Sequence, residues 1–197
     1  MSTTDGDDVA TPGNEAARAV GLVPTFGRGD LPLARLHGES LVSLATSALT
    51  RAGVASREAE VTSAAVRESG LPVVLHDPLC PLTPASFIRD AIAAAADGAV
   101  VVGVRPVTDT IKTVTGALVG ETVDRDSLWT VTSPVVLPAA LVSALTNEPD
   151  LTDFAALVTS LRERCEVVFV EAPSLGRRIE DGSALLLLEA FAEVQRI

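Results

Sequence analysis

The chain has 197 residues, a formal net charge of −11, and 47% hydrophobic against 21% charged residues. That is enough apolar material for one α/β domain with a buried core, and too much for wholesale disorder. The 26 acidic and 15 basic residues argue against a general nucleic-acid binder, and no apolar run approaches the ~20 residues of a membrane span.

Residues 1–17 read as a flexible acidic tail with Asp5, Asp7 and Asp8 and no apolar signal-peptide segment, so the protein is expected in the cytoplasm. Residues 18–197 read as a single domain. Val20 to Pro24 reads as a strand, and Phe26-Gly27-Arg28-Gly29-Asp30 as the loop after it. Apolar spacing predicts a helix from Ser40 to Ala52, stopped by Gly53, and a second from Ser56 to Ser69, with Ser56 as N-cap and Gly70 at its end. Pro72 to His76 is a compact apolar strand. Thr83-Pro84 marks a helix start, with threonine as N-cap and proline at the first position, and that helix runs to about Asp97.

Ala99 to Val104 is apolar on both faces, as a central parallel strand would be. From 106 to 135 threonine and valine dominate, broken by Gly116 and Gly120, which reads as an extended arm. Helices are expected from Pro138 to Thr146 and Thr152 to Arg164, a strand from Glu166 to Glu171, and a terminal helix from Ile179 to Ile197. This alternation predicts a doubly wound α/β domain with a mostly parallel sheet. Ligands of such sheets bind beyond strand carboxyl ends, which selects the loops Thr25 to Asp30, Asp77 to Pro81 and Arg105 to Asp109. Cys80 and Cys165 make no disulfide framework, and no His/Cys pair has metal-ligand spacing.

The most informative stretch runs from Val101 to Leu137. It contains Pro106-Val107-Thr108-Asp109-Thr110-Ile111-Lys112, then Thr122-Val123-Asp124-Arg125, Leu128-Trp129 and Thr132-Ser133-Pro134. Upstream, a strand ends in His76-Asp77-Pro78-Leu79-Cys80-Pro81. Order and spacing over residues 70 to 145 resemble the 2-C-methyl-D-erythritol 4-phosphate cytidylyltransferases of the non-mevalonate isoprenoid pathway. The matching family motifs are His-Asp-Ala-Ala-Arg-Pro, Pro-Val-x-Asp-Thr-x-Lys, Thr-x-Asp-Arg-x-x-Leu-Trp and Thr-Pro-Gln. The resemblance implies a Rossmann-like nucleotidyltransferase fold with a β-arm over 106–135 that supports a homodimer.

It also implies CTP and a small phosphorylated polyol as substrates, and Mg²⁺ if the chain is catalytic. It implies no nucleic acid or membrane partner. Asp77 would lie where acceptor and nucleotide phosphate meet. Thr110, Lys112, Arg125 and Ser133 would hold the acceptor phosphate, partly from the second subunit. Gly27 and Gly29 would keep part of the loop that cradles the triphosphate. Arg28 would offset charge on the α-phosphate, and Arg178 stands where the family has a lysine before its last helix.

The departures fall on the nucleotide side. The family arginine of the His-Asp motif is Cys80, the loop lysine is most simply Leu33, Asp30 enters the loop, and the segment that supports cytosine recognition has no counterpart between Gly53 and Leu71. Losing one preorganised charge donor costs ~10²–10³ in rate, so two such losses predict a rate at least ~10⁴ below a competent relative. Two functions therefore stand open. One is cytidylyl transfer, and the other is a catalytically degenerate member that binds a phosphate ligand or a protein partner. At single positions the plain reading also stands: an Asp124–Arg125 turn, a solvated end for Arg177-Arg178, dimer or core packing for Trp129.

Overall fold

A computed structural model describes residues 18–108, 111–116, 118–125 and 128–194. The acidic tail and Thr110 fall outside these residues. In chain order the strands and helices are β1 (Ala19–Leu22), β2 (Arg35–Leu36), β3 (Glu39–Ser40), α1 (Leu41–Arg51), β4 (Val54–Ser56), α2 (Ala64–Glu68), β5 (Val73–Leu75), α3 (Ala85–Ala94), β6 (Val100–Pro106), β7 (Ile111–Thr115), β8 (Leu118–Val123), β9 (Trp129–Leu137), α4 (Ala139–Ala144), α5 (Phe154–Arg162), β10 (Val167–Glu171) and α6 (Gly182–Val194).

Six strands form one sheet in the order β10-β6-β9-β5-β1-β4. Its pairings are parallel except at β9, which runs against both β5 and β6. The doubly wound, mostly parallel sheet expected from the alternation is therefore present. The side-chain period of two explains the layering. Val73, Leu75, Val102 and Val135 point to one face, where Val66 of α2, Val142 of α4 and Leu157 and Leu161 of α5 cover them. Val74, Val101 and Val136 point to the other, under Ala48 and Leu49 of α1 and Ile88 and Ala91 of α3. A third cluster joins α6, through Leu188, to Leu36, Leu41, Leu79 and Ile179 beside the loops.

Several boundaries differ from the sequence reading. The helix expected from Ser56 to Ser69 is a strand, a loop and a short helix. Val54–Ser56 pairs in parallel with Ala19, Val20 and Gly21, and that ladder overrides the weak helical spacing. The loop is then fixed from outside. The carboxylate of Glu148 accepts from the amides of Val61 and Thr62 and from the Thr62 hydroxyl, at 2.7–2.8 Å. Thr83 does not cap α3. Its hydroxyl turns back to the Cys80 carbonyl at 2.9 Å, and Pro84 takes the N-cap position. The terminal helix begins at Gly182, where Asp181 caps the amide of Ala184 at 2.8 Å. By contrast α1 is as expected, capped by Ser40 and followed by Gly53 at φ +77°.

The arm is narrower than 106–135. β7 and β8 form their own two-stranded sheet. β9 has rejoined the main sheet by Trp129, opposite Pro106, and reaches Val135 opposite Val102. Threonine and valine suit a solvated ribbon and a buried strand equally, which is why composition alone set the border too late.

Candidate functional site

The site is built where β1 and β5 end, as the carboxyl-end rule requires. The amide of His76 donates to the Leu22 carbonyl at 2.9 Å and extends the pairing by one residue. The chain then turns at Asp77, whose carboxylate accepts from the Leu79 amide at 3.0 Å. Ser133, on β9, pins this turn from the side. Its hydroxyl accepts from the Asp77 amide at 2.9 Å and bonds Nδ1 of His76 at 2.6 Å. His76, Asp77 and Ser133 are all buried. Burial holds the His76 imidazole down at about 4, against the pull of the adjacent Asp77 charge, so the ring is neutral near pH 7.

Two arginines converge on the carboxylate of Asp77. Arg28 Nε meets Oδ1 at 2.8 Å, and Arg178 Nε meets Oδ2 at 3.1 Å. The two are not equivalent. The Arg28 side chain is 1% exposed and that of Arg178 is 31% exposed. Arg28 also donates through Nη1 to the carbonyls of Phe26 (2.9 Å) and Leu151 (3.0 Å), and its guanidinium lies 5.2 Å from the centre of the Phe154 ring. Gly27 beside it adopts φ +79°, and a Cβ there would come within 2.8 Å of Thr152. The loop is closed down onto the Leu151–Phe154 segment.

Two cavities flank this contact. One, of about 420 Å³, is lined by Asp77, Trp129, Thr130, Asp153, Arg178 and Glu180. The other, of about 560 Å³, is lined by Leu22, Pro24, Thr25, Phe26, Arg57 and Leu151 among others. Arg28, Leu151 and Phe154 stand between them.

Of the residues singled out in the sequence, the structure joins Arg28, Asp77, Arg178 and Ser133 in one bonded group. Ser133 is fully buried. Its hydroxyl is spent inside on His76 and Asp77. Gly29 is exposed at φ +57°, with open space around it. Lys112 and Arg125 are exposed on the β7–β8 segment and line neither cavity. Arg125 bonds the Thr108 carbonyl. Cys80 is buried, and burial with the Asp77 charge pushes its thiol well up, so this residue is inert where the family motif has an arginine. Sequence reasoning missed the Leu151–Phe154 segment. Its only local signal is Asp153, which caps α5 by accepting from the amides of Ala155 (2.8 Å) and Ala156 (3.2 Å). Trp129, read as dimer or core packing, is 50% exposed on the wall of the smaller cavity and so is not in this chain's core.

The cation implied by the resemblance, Mg²⁺, binds through one or two carboxylates together with phosphate oxygens. Asp77 does not fit that use, because each of its oxygens already faces a guanidinium. Among the described residues no three His, Cys, Asp or Glu side chains gather into a metal cage, and no helix is long and apolar enough to cross a membrane.

Comparison with known proteins gives one consistent family. The family model "IspD: 2-C-methyl-D-erythritol 4-phosphate cytidylyltransferase" matches residues 35–186, starting after the glycine loop. A protein of that name from Syntrophotalea carbinolica is 35% identical over 127 residues, 61% of this chain and 53% of its own length. One from Bacillus cereus is 31% identical over 150 residues, 73% of this chain and 66% of its own. The chain thus spans about half the length of the Syntrophotalea relative. Among solved structures, the cytidylyltransferase from Thermus thermophilus superposes with a TM-score of 0.67 at 22% identity, covering 89% of this chain and 99% of that one. The Francisella tularensis structure gives 0.61 at 16% identity, covering 91% and 100%. At these identities the structures establish the fold.

Proposed function

The chain belongs to the 2-C-methyl-D-erythritol 4-phosphate cytidylyltransferase family, and we propose that it binds a phosphorylated sugar alcohol in the 420 Å³ cavity and transfers CMP to it from CTP. The observation that carries this reading is Arg178, a partly exposed guanidinium held at the cavity wall by Asp77. Such a group suits an acceptor phosphate. In the reaction a phosphate oxygen of the acceptor attacks the α-phosphorus of CTP. The bond from that phosphorus to the bridging oxygen breaks, and pyrophosphate leaves with the electron pair. No covalent enzyme intermediate is needed, so the protein contributes position and charge. The chain's own cavity supplies one such charge. The arm of a second copy would add Lys112 and Arg125.

That dimer is part of the proposal. Its support is a two-stranded ribbon with Leu118 at 76% and Val119 at 66% exposed, since two strands alone are marginally stable in water.

A second reading is favoured by the loop. Arg28 is tied up in bonds to Asp77, Phe26 and Leu151 and lines neither cavity, so the 560 Å³ cavity beside the loop is without its charge. In this reading the chain holds the phosphorylated ligand without transferring a nucleotide to it. One set of titrations separates the two. Trp129 is the only tryptophan in the chain and lines the cavity, so its fluorescence reports the acceptor directly. Methylerythritol phosphate and CTP are titrated singly and together, with pyrophosphate release followed in the mixture. Release supports transfer. Acceptor binding without CTP binding at millimolar concentration supports the second reading. If neither binds, both readings fall.

A further inference from the structure

Arg28 is a charged group deep in the site that the resemblance would place on the α-phosphate of CTP, and its partners oppose that use. A guanidinium that serves a ligand keeps donors facing that ligand. Here Nε is taken by Asp77 and Nη1 by two backbone carbonyls, one face lies over Phe154, and 1% of the side chain reaches solvent. Moving Arg28 onto a phosphate would leave Asp77 Oδ1 with only the Leu79 amide, its charged partner gone, inside a buried setting, which is the costly way to break an ion pair. The loop geometry opposes that movement as well, because Gly27 is seated against Thr152. Arg178 differs on each count. It gives one bond to Asp77, is partly exposed and lines the cavity.

We infer that Arg28 is a resident countercharge for Asp77: it holds the place a divalent cation would occupy on that carboxylate, it does not touch the ligand, and the cavity takes phosphate on Arg178 with no metal at Asp77. The inference concerns the same cavity as the proposed function. It rests on the partners of Asp77, and so holds or fails independently of cytidylyl transfer.

The test uses the full chain labelled with ¹⁵N and reads the arginine Nε–H resonances, assigned with Arg28→Lys and Arg178→Lys. Inorganic phosphate is the probe, titrated once in EDTA and once in MgCl₂. The expected result is a shift of the Arg178 resonance with the same midpoint in both buffers, while the Arg28 resonance stays fixed and exchanges slowly with water. Movement of Arg28 overturns the inference. So does a silent Arg178, or a midpoint at least about tenfold tighter in Mg²⁺.

Mn²⁺ gives an independent reading through paramagnetic broadening of the Asp77 and Leu79 amides. The wild-type amides should stay sharp. Arg28→Gln should bind Mn²⁺ at least about tenfold more tightly, and Arg28→Gln/Asp77→Asn should lose that gain. Broadening in the wild type, or no gain in Arg28→Gln, refutes the countercharge role. If Arg28→Gln does not fold, the wild-type measurements decide alone.

Discussion

The two arginines on Asp77 should differ in what they contribute to stability, and the difference can be worked out from their surroundings. Removing one partner of a buried ion pair costs about 3–5 kcal/mol, because the other charge is left without compensation. Arg28 and Asp77 form such a pair, with side chains 1% and 4% exposed. Arg28→Ala leaves Asp77 with only the partly screened Arg178 and the Leu79 amide, so the cost should fall at the lower end, about 3 kcal/mol, still a large share of the roughly 5–15 kcal/mol that holds a typical domain together. Arg178 meets the same carboxylate at 3.1 Å but is 31% exposed. Solvent screens its pair, and Arg178→Ala should cost at most about 1 kcal/mol.

Urea titration followed by circular dichroism measures both. The midpoint should fall by several-fold more in Arg28→Ala than in Arg178→Ala, with an unchanged slope. Equal losses in the two variants would refute the assignment of Arg28 as structural and Arg178 as ligand-facing. A loss below about 1 kcal/mol in Arg28→Ala would do the same.

Other outcomes follow from single groups. His76 titrates near 4 in the fold against 6.5 when exposed, so its stability contribution is present in full above pH 6.5 and drains away as pH falls toward 4. The loss amounts to about 3 kcal/mol, and His76→Gln should flatten the stability curve measured by urea titration across that window. Cys80, buried, should resist Ellman's reagent until the protein unfolds, while the partly exposed Cys165 reacts in the native state. A native count of two fast thiols would contradict the burial of Cys80. Gly27→Ala should be more destabilising than Gly29→Ala. Both positions have positive φ and incur roughly 1–2 kcal/mol, but only Gly27 also meets a neighbour, Thr152 at 2.8 Å. Thermal melts of the two variants compare them directly.

Much of this architecture was legible in the chain. Val73 to Leu75 and Val100 to Val104 announced themselves as short apolar runs, and the His76-Asp77 turn lay where a strand-end rule put it. What stayed hidden depends on partners distant in sequence. Val54–Ser56 is a strand only because Ala19–Gly21 lies beside it. The family resemblance makes Arg28 a phosphate ligand, and only Leu151, Phe154 and Asp77, far along the chain, reveal that its Nε and Nη1 donors are engaged inside the protein. Ser133 likewise carries the right hydroxyl at the right spacing, yet spends it on His76. Residue type was readable, and the direction in which each side chain points was not.

The order in which the sheet can assemble is governed by β9. It is the one strand that touches both β5 and β6, so the β4-β1-β5 group and the β6-β10 group share no ladder except through it. A nascent chain that ends before Trp129 holds the β4-β1-β5 ladder and a lone β6, all with open edges, and such edges are the kind that associate wrongly. The two parts join only when Trp129–Leu137 slots between β5 and β6, and β10 is added to the far edge of β6 later still. Both edges of that slot must wait for one late segment, which makes β9 the step where folding speed and the risk of misassembly are set.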